Sequence, residues 1–390
     1  VALVVTLPAS PGYAGPRVYE NEEKGSWVDL GILIEAQYRF VNADGEPSEN
    51  DIWLRRLRPT VSGGINSDWQ AILQMDFGAG ATGQDYRVTV RWVNIQYVGV
   101  KNSHLAIGSF KHWFSREFFT LGPQLQFVER TFVGENTYGN PAYTIGIGWD
   151  HVVAKDRIRY AATLGAQSVD TLASNMAFRS PANGVSTDNQ GWAAAVHLDA
   201  WALGHATYDK APLGYKLGPY DRSDVADTKE WDLSFSLGGY VWWNQGNNNG
   251  LCSDADPTQC VDLQNAGGLE VSGGLRGYGF SADFEYQFVR GNAVDGTYTG
   301  GLYQSGRTDL QKATVNAGYM VIAKHFEVVA GWSILDASNY ESPWNQAIVG
   351  LNGFVKGYNL RFSTDYRRDI HVMGTSRNGN VFRLQAQFVW

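Results

Sequence analysis

Three arginines crowd into four positions at Arg55, Arg56 and Arg58, and two mixed pairs, Arg116-Glu117 and Glu129-Arg130, follow further along the chain. A guanidinium keeps its charge at any working pH and donates in a fork to phosphate or carboxylate. Such a group attracts and orients anions, and a carboxylate beside it trims the field. The bland reading of each arginine is a partner in a salt-bridge network that stiffens a wall, and for any single one that reading weighs as much as the functional one. Catalysis asks for other groupings. The seven histidines, His104, His112, His151, His197, His205, His325 and His371, are scattered. None sits in a GxSxG or HExxH setting. His197 and Asp199 share a strand face, as chance allows. We therefore expect neither an enzyme nor a cofactor. The two cysteines, Cys252 and Cys260, lie in one polar segment, LCSDADPTQC. In an exported protein this reads as a disulfide stapling a surface loop. A metal site from Asp254, Asp256 and Asp262 is the weaker alternative, because no calcium-loop spacing is matched.

Period-two alternation supplies the elements that must hold these groups. Over 27–40, Val28, Leu30, Ile32, Ile34, Ala36, Tyr38 and Phe40 fall on one face and Asp29, Glu35, Gln37 and Arg39 on the other. The C-terminal stretch sets Phe382, Leu384, Ala386, Phe388 and Trp390 against Arg383, Gln385 and Gln387. Counting such stretches predicts sixteen strands, at 27–41, 52–65, 69–78, 86–99, 104–110, 143–153, 157–168, 191–201, 230–243, 268–277, 278–290, 311–322, 325–335, 348–356, 357–367 and 379–390. An even number closes an antiparallel transmembrane barrel. Mid-strand charges such as Glu35 and Asp283 suit a water-filled lumen, whereas a soluble sandwich packs that face against a second sheet. Residues 87–97 lose the phase, which predicts a bulge near Trp92. Arg55 is out of phase with Arg56, which puts one of them at a rim or a bulge.

Composition agrees. The chain has 14 Trp, 20 Tyr, 18 Phe and 45 Gly in 390 residues, a mixture suited to interfacial girdles and tight turns. Mean hydropathy is −0.28 and no run of 18 apolar residues occurs, which leaves out transmembrane helices. A formal charge of −8 argues against a nucleic-acid partner. Short connections at 66–68, 100–103, 154–156, 277, 323–324 and 356–357 alternate with long ones at 42–51, 79–85, 111–142, 169–190, 244–267, 291–310, 336–347 and 368–378. That order assigns the short set and both termini to the periplasm. The link 202–229 is long where a short turn is due, so it is an insertion or an extension of the eighth strand. Residues 1–14, VALVVTLPASPGYA, read as the tail of a secretory signal ahead of a single barrel over 15–390, with an N-terminal strand as the alternative.

Two stretches carry a resemblance. Trp53-Leu54-Arg55-Arg56-Leu57-Arg58-Pro59 runs through Val61-Ser62-Gly63-Gly64 to Asp68-Trp69-Gln70 and Met75-Asp76-Phe77, and Leu105-Ala106-Ile107-Gly108-Ser109-Phe110 precedes a long segment holding Glu129-Arg130. Together they resemble the phosphate-selective porin family over roughly residues 50–150. The chain end Phe388-Val389-Trp390 is similar to the aromatic termini of bacterial outer-membrane barrels. The resemblance implies a 16-stranded homotrimeric porin in the outer membrane of a Gram-negative-type bacterium, with its third loop, 111–142, folded into the lumen as a constriction. It implies that Arg55, Arg56 and Arg130 guide anions there. Where the family carries lysines, between 112 and 135, this chain has Arg116, Glu117, Glu129, Arg130 and Glu135 and no lysine.

The expectation is therefore a passive porin for small hydrophilic solutes, anion-preferring toward phosphate-like or small organic anions. Its pore residues would be Arg55, Arg56, Arg58, Arg116, Glu117, Glu129 and Arg130, and its surroundings membrane lipid and lipopolysaccharide. A barrel with a plugged lumen acting as a scaffold, and a soluble all-β binding protein, are the alternatives.

Overall fold

The computed structural model describes residues 15–80, 86, 88–170, 176–183, 190–206, 220, 222–244, 251–253, 256–296 and 306–390. Sixteen strands among them close one antiparallel barrel. They are β1 (Ser26–Ala43), β2 (Glu49–Gly64), β3 (Trp69–Asp76), β4 (Thr89–Tyr97), β5 (Ser103–Lys111), β6 (Tyr143–Val153), β7 (Ile158–Asp170) and β8 (Gln190–Leu203), followed by β9 (Asp232–Trp243), β10 (Asp256–Gly277), β11 (Phe280–Gly296), β12 (Gly306–Ile322), β13 (Phe326–Ala337), β14 (Trp344–Lys356), β15 (Leu360–Ile370) and β16 (Gly379–Val389). Each strand pairs with the next, and β16 returns to β1 with Phe388 opposite Ile34 and Gln385 opposite Gln37. The sheet thus closes without an open edge, which a wall in hydrocarbon requires. Three short strands accompany the barrel, Arg17–Asn21 on β1, Ala177–Arg179 on β7 and Leu251–Ser253 on β10.

All sixteen predicted strands are present. Their lengths differ where the pattern fades. β10 and β11 start and end well beyond the predicted 268–290, and β1 and β2 leave only 44–48 between them. Hairpin pairing carries a strand past its last apolar residue, because beyond the membrane either face can be polar.

The distribution of side chains is the reverse of a soluble fold. Glu35, Gln96, Gln167, Ser272, Ser281, Gln287, Glu327 and Arg361 are buried to within 1%. Ile95, Ile107, Val196, Leu237, Val315 and Val349 are each more than half exposed, on the opposite strand faces. An exposed apolar band around a polar interior belongs in lipid. Trp69, Trp149, Trp231, Tyr278, Tyr319 and Trp390 ring one end of it, beside the short turns, and Trp192, Trp243, Tyr286 and Tyr366 lie toward the other. Those are girdle positions, where an amphipathic ring has one wet edge.

Two bulges interrupt the ladder on the same stretch of wall. Between β1 and β2, Glu35 faces Arg56 and Ala36 faces Leu54, so Arg55 is the extra residue. Between β3 and β4, Gln74 faces Trp92 and Met75 faces Val90, so Arg91 is extra. A bulge puts two residues of one strand opposite one of its partner, and the alternation skips a beat. Arg55 joins Arg56, and Arg91 joins Trp92, on the lumen side.

Candidate functional site

Residues 112–142, between β5 and β6, fold inward and dock on the wall nearly all the way round. Phe114, Phe118 and Phe132 pack with Tyr240, Leu310, Leu335 and Trp344. Trp113 and Phe119 pack with Ile72, Trp92 and Tyr143. Leu121 meets Leu33 and Val389, and Phe127 meets Val329 and Ile348. These aromatics, too many for an exposed loop, are its anchors.

Polar docking is as deliberate. The loop opens with a one-turn helix, α1 (Arg116–Phe119), capped by the Ser115 hydroxyl, which accepts from the Phe118 N–H at 3.1 Å. Helix starts leave N–H groups without partners. Here two wall carboxylates supply them. Glu270 accepts from the Ser115 and Arg116 N–H groups at 2.7 and 2.9 Å, and Glu285 accepts from the Glu117 N–H at 2.8 Å. On the far side Asp365 accepts from the Val128 N–H at 2.8 Å, and Arg361 donates to the Leu125 carbonyl at 2.6 Å. His197 bridges Asp199 and Glu270, at 3.4 and 3.3 Å.

Between the loop and the β2–β4 wall lies a basic cluster. Arg55 forks onto Glu129 at 2.5 and 3.0 Å. Arg56 pairs with Glu35 and stands 3.6 Å from Glu129. Gln37 also donates to Glu129, at 3.0 Å. Burial opposes ionisation of Glu129, but the charges of Arg55 and Arg56 outweigh it and hold the carboxyl well below the usual range. Arg58 and Arg91 share Asp76, at 2.7 and 3.3 Å. Arg130 donates to the Thr120 carbonyl at 2.7 Å and Lys111 to the Phe118 carbonyl at 2.6 Å. Burial and the neighbouring Glu129 push the Glu135 carboxyl up.

Six cations, Arg55, Arg56, Arg58, Arg91, Lys111 and Arg130, thus meet three paired carboxylates, Glu35, Asp76 and Glu129, with Glu117 and Glu135 facing Arg130. Within the wall part of the cluster, Arg91 keeps 28% of its side chain exposed, against 12% for Arg55, 14% for Arg58 and 1% for Arg56.

Of the expected pore residues, Arg55, Arg56, Arg58, Glu129 and Arg130 come together. Arg116 does not join them, and Glu117 touches only their edge, its carbonyl accepting from Arg130 Nε at 3.4 Å. Arg116 is buried on the anchoring face, 3.2 Å from Asp283 and 3.1 Å from the Ser234 hydroxyl, and Glu117 bonds Thr131 within the loop. Two members were missed. The phase break around Trp92 was the signal for Arg91. Lys111 falls in step with Leu105 and Ile107 on the lipid face, yet from Ser109 onward the residues of β5 are buried in succession, the lysine among them.

In the Cys252–Cys260 hairpin the backbone register sets the two cysteines opposite each other. Their side chains, like those of Asp254, Asp256 and Asp262, lie outside the described residues, as do residues 1–14.

The sequence profile of the phosphate-selective porins O and P matches residues 28–238. Among solved structures, the fold is similar to the anion-selective porin from Comamonas acidovorans, with 11% identity and a TM-score of 0.57 over 94% of this chain and 100% of that one. It is similar to the outer-membrane channel DcaP of Acinetobacter baumannii, with 10% identity and a TM-score of 0.57 over 97% and 100%. A trimer form of OmpT, an outer-membrane protein of Vibrio cholerae, aligns at 11% identity with a TM-score of 0.58 over 94% and 100%. No curated protein sequence matches.

Proposed function

The chain belongs to the phosphate-selective porin O and P family, and from that premise we propose that its lumen prefers small anions, phosphate-like or carboxylate. It is an outer-membrane porin of a Gram-negative bacterium. The preference rests on one observation, that two bulges turn Arg55 and Arg91 into the lumen beside Arg56 and Arg58, on the wall the constriction loop faces. Ion selectivity follows the charges lining the narrow zone. Arg55 and Arg56 are largely spent on Glu129 and Glu35, so Arg91 is the group best placed to touch a passing anion. The other cations supply the field.

The test is a planar-bilayer reversal potential in a KCl gradient, followed by phosphate addition. The wild type should sit on the chloride side. Arg91→Gln should move the potential toward potassium by roughly fivefold in permeability ratio, the worth of one charge about 4 Å away in water. An unmoved potential would remove Arg91 from the path.

A homotrimer is part of the same reading, supported by the trimer form of the Vibrio cholerae protein. So is a Cys252–Cys260 disulfide, since directly opposed residues of an antiparallel pair stand about 4.5–5.5 Å apart, inside the range a disulfide spans. Reduction should slow the unfolded chain on a denaturing gel, and identical mobility with and without reductant would discard the bond. The plugged-lumen alternative draws on the described residues of the β8–β9 link, which enter the barrel. A silent bilayer would favour it.

A further inference from the structure

The link between β8 and β9 does not stay at the rim. Near its start the Ala206 N–H donates to the Asp156 carbonyl at 2.6 Å, in the turn after β6. Near its end Asp224 accepts from the Gly279 N–H at 2.7 Å, in the turn after β10, and the Ser223 N–H donates to the Tyr358 hydroxyl at 3.3 Å, in the turn after β14. The turns after β6 and β14 are eight strands apart in a ring of sixteen, on opposite sides of the mouth. Between them the described residues point up the lumen. The Tyr220 hydroxyl donates to Asp199 at 2.6 Å and accepts from Arg159 at 2.9 Å. The Ser223 hydroxyl donates to Glu327 at 2.8 Å, and Arg222 Nε donates to the Thr120 hydroxyl of the constriction loop at 3.1 Å. All three side chains are at least 98% buried. They sit directly under the loop, on its periplasmic side.

Arg222 does not arrive alone. Arg116 from the loop, Arg276 from β10 and Arg222 from the link converge on Asp283, at 3.2, 2.7 and 3.5 Å. Glu117, Glu285 and Asp232 face the cluster from farther off, so the case for an anion rests on Arg222 itself. Arg222 Nη2 is buried without a hydrogen-bond partner. A buried charged donor left unsatisfied is unfavourable and calls for a ligand or water.

We propose that Arg222, backed by Arg116 and Arg276, is a second anion-contact station on the periplasmic side of the constriction loop, taking a small tetrahedral oxyanion or a carboxylate. The link thereby supplies a selectivity residue that the barrel wall cannot. The inference rests on the chain being a channel, and not on the role given to Arg91.

Inorganic phosphate is the probe. Wild-type protein and Arg222→Gln, Arg222→Lys and Arg91→Gln variants are extracted folded, as judged by heat-modifiable gel migration, and recorded in a KCl gradient with increasing phosphate. Arg222→Gln should weaken phosphate block about tenfold, the loss expected for one charge-assisted hydrogen bond, and move the reversal potential toward potassium. Arg222→Lys should restore the potential but not the full block, since an ammonium keeps the charge and loses the fork. Wild-type block in folded Arg222→Gln overturns the proposal. So does higher conductance with unaltered block, which leaves a steric crossbar, and so does a wild type indifferent to phosphate. Loss of block in Arg91→Gln alone sinks this station and leaves the Arg91 reading standing.

Discussion

Glu129→Gln should turn the channel strongly toward chloride. The carboxylate of Glu129 holds Arg55 in a fork and faces Arg56, so its removal unmasks two guanidiniums at the constriction. Glutamine keeps the shape and one acceptor oxygen, and Arg56 keeps Glu35. The change is therefore in field more than in structure. One charge at about 4 Å is worth roughly 1 kcal/mol in water, about fivefold in ion occupancy, and more where low-dielectric walls focus the field. The reversal potential in a KCl gradient should shift by at least that factor toward the chloride limit. Mild acid should not imitate the variant, because the two arginines keep the Glu129 carboxyl ionised well below the usual carboxylate range against the opposing pull of burial. An unaltered potential would mean that ions pass the loop on another side, and the cluster would become wall reinforcement.

Glu270→Ala should loosen the constriction loop. It strips the acceptor from the Ser115 and Arg116 N–H groups and the partner from His197 Nε2. Truncating one member of a buried charged pair commonly costs about 3–5 kcal/mol, because the groups left behind are neither paired nor wet. Single-channel records should show raised conductance with added flicker, and the gel transition from folded to unfolded barrel should drop in temperature. Gln at 270 should recover part of both, since its amide oxygen can still accept from the α1 start. Quiet, wild-type conductance in the alanine variant would show that Phe114, Phe118, Phe127 and Phe132 hold the loop without help.

Together these experiments separate two jobs that arginines do in this lumen. Arg116 and Arg361 tie the loop to the wall through Asp283 and the Leu125 carbonyl. Arg91, and to a lesser degree Arg55 and Arg58, keep some surface open to the pore.

What the sequence by itself determined is the barrel. Alternation is a local property, with successive side chains on opposite faces, and lipid on one side and water on the other make that alternation unbroken over most of each strand. Strand number, closure of β16 on β1 and the girdles were legible for that reason, as were both breaks in phase, while the inward third loop came from the family resemblance. Tertiary structure alone decided what the phase breaks were for. A bulge is one extra residue, and only its partner strand reveals which side chain is turned inward, so Arg91 became a lumen residue and Arg55 joined Arg56. It likewise decided that Arg116 anchors, that Glu270 and Glu285 cap α1, and that the link after β8 reaches the underside of the loop. Those contacts join residues more than 100 positions apart. No local period records them, because they depend on which walls the closed barrel brings face to face.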